Sequence, residues 1–168
     1  MTRRLLRFVR NEEGSVLIEA TLLTPFLIVL VFGILEFSLY FYQRHLIETG
    51  VRDAARYLTR VDKDDSTVWT SAQTTARNLA ATGTYAGGSA RRVSGWNPDS
   101  SAIDISLSSV DNPIDEAGYR IYRGEATVTI VNVTGTFTYV PFGPLALLGL
   151  SSMPTVSVVH HERHIGPG

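Results

Sequence analysis

The sequence predicts an α+β protein in which a long N-terminal transmembrane and amphipathic helix is followed by a short helix and a small antiparallel β-sheet. Three observations predict this fold. An uncharged apolar stretch near the N-terminus has membrane-spanning length, an apolar stripe with helical period follows it, and the period changes to two from residue 103. At 168 residues, the chain has room for one anchor and one small domain.

Composition excludes several functional classes. The chain carries 15 Lys+Arg and 16 Asp+Glu, a net charge of -1, so it has no overall basic field for nucleic acid. It contains no cysteine, which excludes disulfides, thiolate nucleophiles and cysteine zinc sites. The sequence also lacks the nucleophile elbow, the phosphate-binding glycine loop and the dinucleotide fingerprint. We therefore predict neither an enzyme nor a cofactor, and no small-molecule substrate is evident.

Residues 1–14 form a basic leader, and residues 15–43 form the predicted transmembrane helix. The part from Ala20 to Leu35 has no charge and covers about 24 Å as a helix. A cleaved secretory signal is the main alternative, but its apolar core is about 7 to 15 residues long and ends at a small-x-small site. Neither property fits the aromatic end of this stretch at Tyr40, Phe41 and Tyr42. The segment is therefore predicted to remain as a membrane anchor.

The short leader beside the span favours a cytoplasmic N-terminus. Its cations are Arg3, Arg4, Arg7 and Arg10. Further cations follow the span, but they belong to a long domain, whose charges weigh little in the positive-inside rule. We therefore expect a single-pass protein of the cytoplasmic (inner) membrane with its C-terminal domain outside.

The helix is predicted to continue outside the membrane as residues 44–61. Apolar side chains recur there at three and four residues, so the whole helix is expected from residue 15 to residue 60, about 70 Å long. Pro25 removes one hydrogen bond and is expected to kink it. A second stripe is either a solvated face or a binding surface. Its members are Arg44, Glu48, Arg52, Arg56 and Arg60.

Residues 62–168 are predicted to form the extracytoplasmic α+β domain. Asp65 or Ser66 is a suitable N-cap for a second helix, which Gly83 would end. The inward positions of that helix are Trp69, Ala72, Ala76, Leu79 and Ala80. About four strands with β-branched residues follow a Gly/Ser-rich loop. They are expected at residues 103–108, 119–123, 126–133 together with 137–140, and 155–160.

Three histidines near the C-terminus are the only tempting group of metal ligands. His160, His161 and His164 occur in the run His-His-Glu-Arg-His, which contains the ligand types of zinc or nickel sites. Because neighbouring residues of a strand point to opposite faces, this run does not form a ready tetrahedron. We predict a polar strand end and no metal.

Two glutamates stand inside or beside the span. A carboxylate there costs several kcal/mol unless it is paired or reaches the interface. If the chain is cut after Gly14, the new α-amino group of Ser15 lies about 6 Å of helix rise from Glu19 and can neutralise it between adjacent subunits. Without cutting, Glu19 lies at the cytoplasmic boundary. Glu36 is expected at the outer boundary, where water can reach it.

The N-terminal third of the chain resembles a known family. Gly14, Glu19 and the long apolar helix resemble a type IV prepilin processing site. Four short blocks are similar to the TadE-like family, minor pilins (pseudopilins) of the tight adherence (Tad or Flp) type IV pilus. They are Ile18-Glu19-Ala20, Thr24-Pro25, Gly33-Ile34-Leu35-Glu36 and Ala54-Ala55-Arg56.

The resemblance implies a pilin-like fold and a role in pilus assembly. It also implies cleavage by a prepilin peptidase between Gly14 and Ser15 and charge pairing by Glu19. The implied partners are other pilin subunits, Tad pilus assembly proteins and membrane lipid, with incorporation into a surface pilus. A TadF-like role stays open, as does a membrane-anchored adhesin or ligand-binding module unrelated to pili.

Overall fold

The computed structural model describes residues 12–122, 124–141 and 155–167. In chain order it contains helix α1 (Glu12–Leu58), helix α2 (Ser66–Thr82) and strands β1 (Ile103–Asp111), β2 (Thr127–Thr138) and β3 (Thr155–Arg163). The predicted α+β class is confirmed. The chain divides into two compact units. The described part of α1 as far as Leu39 belongs to the first, and the rest of α1, α2 and the strands belong to the second.

Helix α1 has 47 residues, includes Pro25 and ends two residues before the predicted position. The turn after Leu58 is stabilised by the C-terminal tail. The carbonyl of Thr59 accepts hydrogen bonds from the backbone N–H groups of Ile165 at 2.9 Å and Gly166 at 3.1 Å. Nε2 of His164 lies 2.8 Å from the carbonyl of Val61. These contacts supply donors for carbonyl groups that a helix end leaves without partners.

Helix α2 begins and ends where the sequence predicts. The Asp65 side chain accepts hydrogen bonds from the backbone of Thr67 and Val68, and Gly83 ends the helix with a left-handed φ of 78°. The buried positions are all alanines: Ala72, Ala76, Ala80 and Ala81. Trp69 and Leu79, which were expected inside, are only half-buried.

The three described strands form one antiparallel sheet in the order β1-β2-β3. The prediction of about four strands is wrong in two places. Residues 126–133 and 137–140 belong largely to the single strand β2, because Gly135 continues the extended backbone. Residues 119–122 form no strand, because the backbone of Tyr122 bonds to the side chain of Asn112. Only the isolated bridge between Ile114 and Arg120 is β-like there.

The core of the second unit lies between the sheet and the outer half of α1. Trp96 is 1% exposed, and its six-membered ring lies between two glycines. A β-carbon added to Gly50 of α1 or to Gly135 of β2 would lie 3.1 Å from this ring. Further buried side chains fill the core, including Ile47, Val51, Leu58, Ile103, Val131, Val133 and Val156.

Candidate functional site

The inner half of α1 exposes apolar side chains on all sides. Leu17 and Phe26 are each 71% exposed. Only 6% of the most apolar 18-residue window of this helix is buried, whereas the core helix of a soluble domain is mostly buried. By length and composition, the helix from Val16 to Leu58 is the one among the described residues that qualifies to cross a membrane. It fits a single-pass membrane anchor.

The hydroxyl groups within this apolar half are satisfied by the helix itself. Thr21 donates to the carbonyl of Leu17 at 2.7 Å, and Thr24 donates to the carbonyl of Ala20 at 2.6 Å. Ser38 donates to the carbonyl of Ile34 at 2.8 Å. Hydrocarbon offers no hydrogen-bond partner, so this pattern suits a helix surrounded by lipid.

The residues predicted for processing and charge pairing lie at the start of α1. Gly14 and Ser15 belong to its helical N-terminal end. Glu19 lies on the same helix with its side chain exposed. Cleavage and charge pairing both remain predictions. Pro25 lies inside a continuous helix, and the predicted kink also remains a prediction.

Glu36 differs from the expectation that water reaches it. The residue is 3% exposed, although it stands in a helix whose neighbouring apolar side chains, such as Leu35 and Phe37, are more than half exposed. Burial of one carboxylate amid exposed apolar groups shows that this position is shielded from the surroundings of the helix. Sequence position along the helix did not reveal it, because burial depends on what packs at that turn.

The later motif residues separate into two groups. Ala54 and Ala55 are fully buried in the core of the second unit. The side chain of Arg56 is 68% exposed, and its Nε lies 3.8 Å from Oε1 of Glu162. The alanines therefore allow close packing of α1, whereas Arg56 is available at the surface. Glu162 also contacts Nε2 of His160 at 3.0 Å.

The histidines point to three different partners. His160 contacts Glu162, Nδ1 of His161 lies 2.6 Å from Oδ1 of Asn132, and His164 contacts the carbonyl of Val61. Among the described residues, no three His, Cys, Asp or Glu side chains are grouped to hold a metal ion. The arrangement joins β2, β3 and the end of α1 by hydrogen bonds.

A comparison with protein families decides the resemblance. The TadE-like protein family model matches residues 14–56. The resemblance inferred from the sequence is confirmed for this TadE-like segment, which extends from the start of α1 to Arg56. It includes the apolar half of the helix and the buried alanines, whereas α2 and the sheet lie outside it. The family associates the chain with the Tad pilus system.

Searches of the curated proteins and of the solved structures found no match to the chain. The TadE-like segment is therefore the part of the chain with a family likeness, and the outer residues have to be interpreted from their own geometry. Sequence reasoning missed Gly50, Trp96 and Gly135, which build the core beneath this segment. A glycine inside a helical or strand pattern was the available signal, because it marks close approach of another backbone or side chain.

Proposed function

We propose that this protein is a membrane-anchored minor pilin, or pseudopilin, that takes part in assembly of a Tad pilus. The observation that carries the proposal is the TadE-like match on a helix whose apolar half is uncovered. Such a helix is compatible with lipid before assembly and with other apolar helices afterwards. The outer half of the same helix is already packed into its own domain through Ile47, Val51 and Leu58.

The start of α1 supports processing by a prepilin peptidase between Gly14 and Ser15. Cleavage would remove the basic leader and create a positive α-amino group about 6 Å of helix rise from Glu19. Between adjacent subunits this amine and the Glu19 carboxylate would neutralise each other. A paired charge can fix the register of packed helices that apolar side chains alone leave free to slide.

The mature N-terminus tests this proposal. The full-length protein is expressed in a host with its own Tad prepilin peptidase, extracted from membranes and analysed by mass spectrometry. A chain beginning at Ser15 is expected, and Gly14→Leu serves as the matched variant that blocks cleavage. An intact N-terminus in both proteins would contradict processing and favour a plain membrane anchor.

Topology and pilus assembly are tested in the same host. Protease added to spheroplasts is expected to digest the outer domain, because the basic leader holds the N-terminus in the cytoplasm. Deletion of the gene is expected to reduce surface pili, and the wild-type copy is expected to restore them. Full protection of the domain would overturn the orientation. Normal piliation without the protein would favour an adhesin or a ligand-binding module.

A further inference from the structure

Two exposed surfaces of the second unit have opposite charge and apolar centres. The first, the arginine groove, lies at the C-terminal end of α1 around Arg56 and Arg60. The second, the β1–β2 loop, comprises residues 112–126. We propose that the β1–β2 loop of one copy docks into the arginine groove of a second copy. This self-association does not depend on the proposed role in a pilus.

The arginine groove has unneutralised positive charge. Arg56 is mostly exposed and makes only a long contact of 3.8 Å with Glu162. Arg60, one turn later, is exposed, and its guanidinium has no ion pair or hydrogen bond among the described residues. Like charges at this spacing repel each other by a few tenths of a kcal/mol. A carboxylate from outside would relieve that repulsion.

The acidic side chains of the groove are already engaged. Asp53 pairs with Arg92 at 2.6 Å, and Glu162 contacts His160 at 3.0 Å. Between the charged groups the groove is apolar and aromatic, with a volume of about 860 Å³. Its apolar lining consists of Tyr57, Val61, Leu79, Tyr85 and Ile165. Arginine and tyrosine around an apolar centre are typical of protein interfaces.

The β1–β2 loop has the complementary chemistry. Residues 111–126 contain four carboxylates and two arginines, a net charge of -2. Glu116 is exposed and has no bonding partner within the described part of the chain. The apolar residues Ile114 and Tyr119 are 59% and 73% exposed. The loop therefore offers both a free carboxylate and apolar side chains of the size that the groove accepts.

The loop is held in one conformation by Asn112, which is 2% exposed. Nδ2 of Asn112 donates to the carbonyls of Tyr122 at 2.7 Å and Glu125 at 2.9 Å. Its Oδ1 accepts from the backbone N–H of Tyr122 at 3.0 Å. A hairpin needs only two to five loop residues, so this long, internally bonded connection suits a binding role. Its order reduces the entropy lost on docking.

A second copy fits as the occupant because one chain carries both complementary surfaces. Both surfaces belong to the same unit, and anchorage in one membrane raises the local concentration of neighbouring copies. Charge attraction between Arg60 and Glu116 would orient the encounter, while burial of Ile114 and Tyr119 would stabilise it. The cysteine-free sequence makes the proposal directly testable by introduced cysteines.

The experiment uses two differently tagged full-length copies in membranes of a host without Tad proteins. One carries Ile114→Cys and the other Tyr85→Cys, and a bis-maleimide crosslinker is added. Mixed dimers are expected at least fivefold above those formed with Val159→Cys, an exposed position on the other face of the sheet. Arg60→Glu in the groove copy is expected to reduce them at least fivefold. Glu116→Arg in the loop copy is expected to restore them.

Mixed dimers no more abundant than the control would overturn the proposal. So would dimers that neither charge reversal affects, because the assigned surfaces would then not form the contact. Crosslinking that appears only when Tad proteins are added would assign the groove to another protein and also overturn it. Since the host has no pilus, none of these results bears on the proposed function.

Discussion

Gly135 of β2 lies against Val51 of α1 with no room for a side chain between them. A β-carbon at Gly135 would lie 2.6 Å from Cγ2 of Val51. Gly50 has the same relationship to α2, since its β-carbon would overlap the backbone oxygen of Ala80. The outer half of α1 is therefore packed against both the sheet and the second helix through glycines, so its position in the domain depends on side chains that are absent.

Replacing either glycine is expected to destabilise the second unit. Gly135→Ala should lower the free energy of unfolding by about 1 to 3 kcal/mol, because Val51 and Trp96 must move to admit the methyl group. Thermal unfolding of the detergent-solubilised protein, followed by tryptophan fluorescence, measures the loss. Gly88→Ala is the control, since nothing lies within 4 Å of its added β-carbon. Equal stability of both variants would contradict the close packing.

The ion pair between Arg92 and Asp53 is expected to stabilise the contact between α1 and the segment after α2. Their side chains are 19% and 37% exposed, and the two charged atoms are 2.6 Å apart. Arg92→Met should cost about 1 to 3 kcal/mol. The matched control Arg52→Met breaks a more exposed pair with Glu48 and should cost about 0.5 kcal/mol or less.

A double-mutant cycle isolates the contribution of that pair. Chemical unfolding is measured for Arg92→Met, Asp53→Asn and the double variant. The double variant should lose less stability than the sum of the single variants, because the second substitution removes no further pairing. Strict additivity would show that the two side chains act independently.

Asp99 is expected to make stability depend on pH in the acidic range. Hydrogen bonds from the Ser101 hydroxyl at 2.6 Å and the Ala102 backbone at 2.9 Å lower the pKa of the Asp99 carboxyl. Its contribution is therefore present above the unfolded pKa, about 3.9, and is lost as pH falls through the lower folded pKa. Asp99→Ala should be destabilised at pH 7, and its difference from wild type should shrink below about pH 4.

Asp104→Asn is the matched control for this pH dependence. Asp104 is exposed on β1, and the described structure gives its side chain no bonding partner. Its substitution should leave the pH profile of thermal unfolding unchanged. A deficit of Asp99→Ala that persists undiminished at low pH would show that lost packing, and not carboxylate ionisation, causes the effect.

Glu19→Gln is expected to weaken pilus formation while leaving the outer domain folded. The substitution keeps the shape of the side chain and removes the charge that would pair with the amine of a processed neighbour. Surface pili are counted by electron microscopy, and membrane insertion is checked by extraction. Glu48→Gln, on the same helix beyond the apolar half, is the matched control. Normal piliation of both variants would remove the assembly role of Glu19.

The local features of the chain could be predicted from its sequence. The apolar period located α1, and the Asp65 and Gly83 caps of α2 follow from the backbone groups that a helix end leaves exposed. The candidate anchor and the motif within residues 14–56 were also visible, because both depend on residues close together in the chain. The alternation at Ile103 and Ile105 likewise predicted the buried face of β1.

The strand count and the packing surface depended on contacts between distant residues. Residues 119–122 have strand-like composition, but the amide of Asn112 bonds to the backbone of Tyr122 and excludes a further strand. Gly50 and Gly135 gain their importance only because Trp96 lies between them. The shielding of Glu36 also required the folded chain.

The sequence by itself determined the apolar helix, its caps and turns, and the family segment, since short-range periodicity and backbone chemistry specify these features. Only the tertiary structure decided that Arg56 and Arg60 border an apolar groove and that the β1–β2 loop is held by Asn112. The physical reason is that burial, charge compensation and close packing are properties of groups brought together in space, and segments far apart in the chain supply those groups.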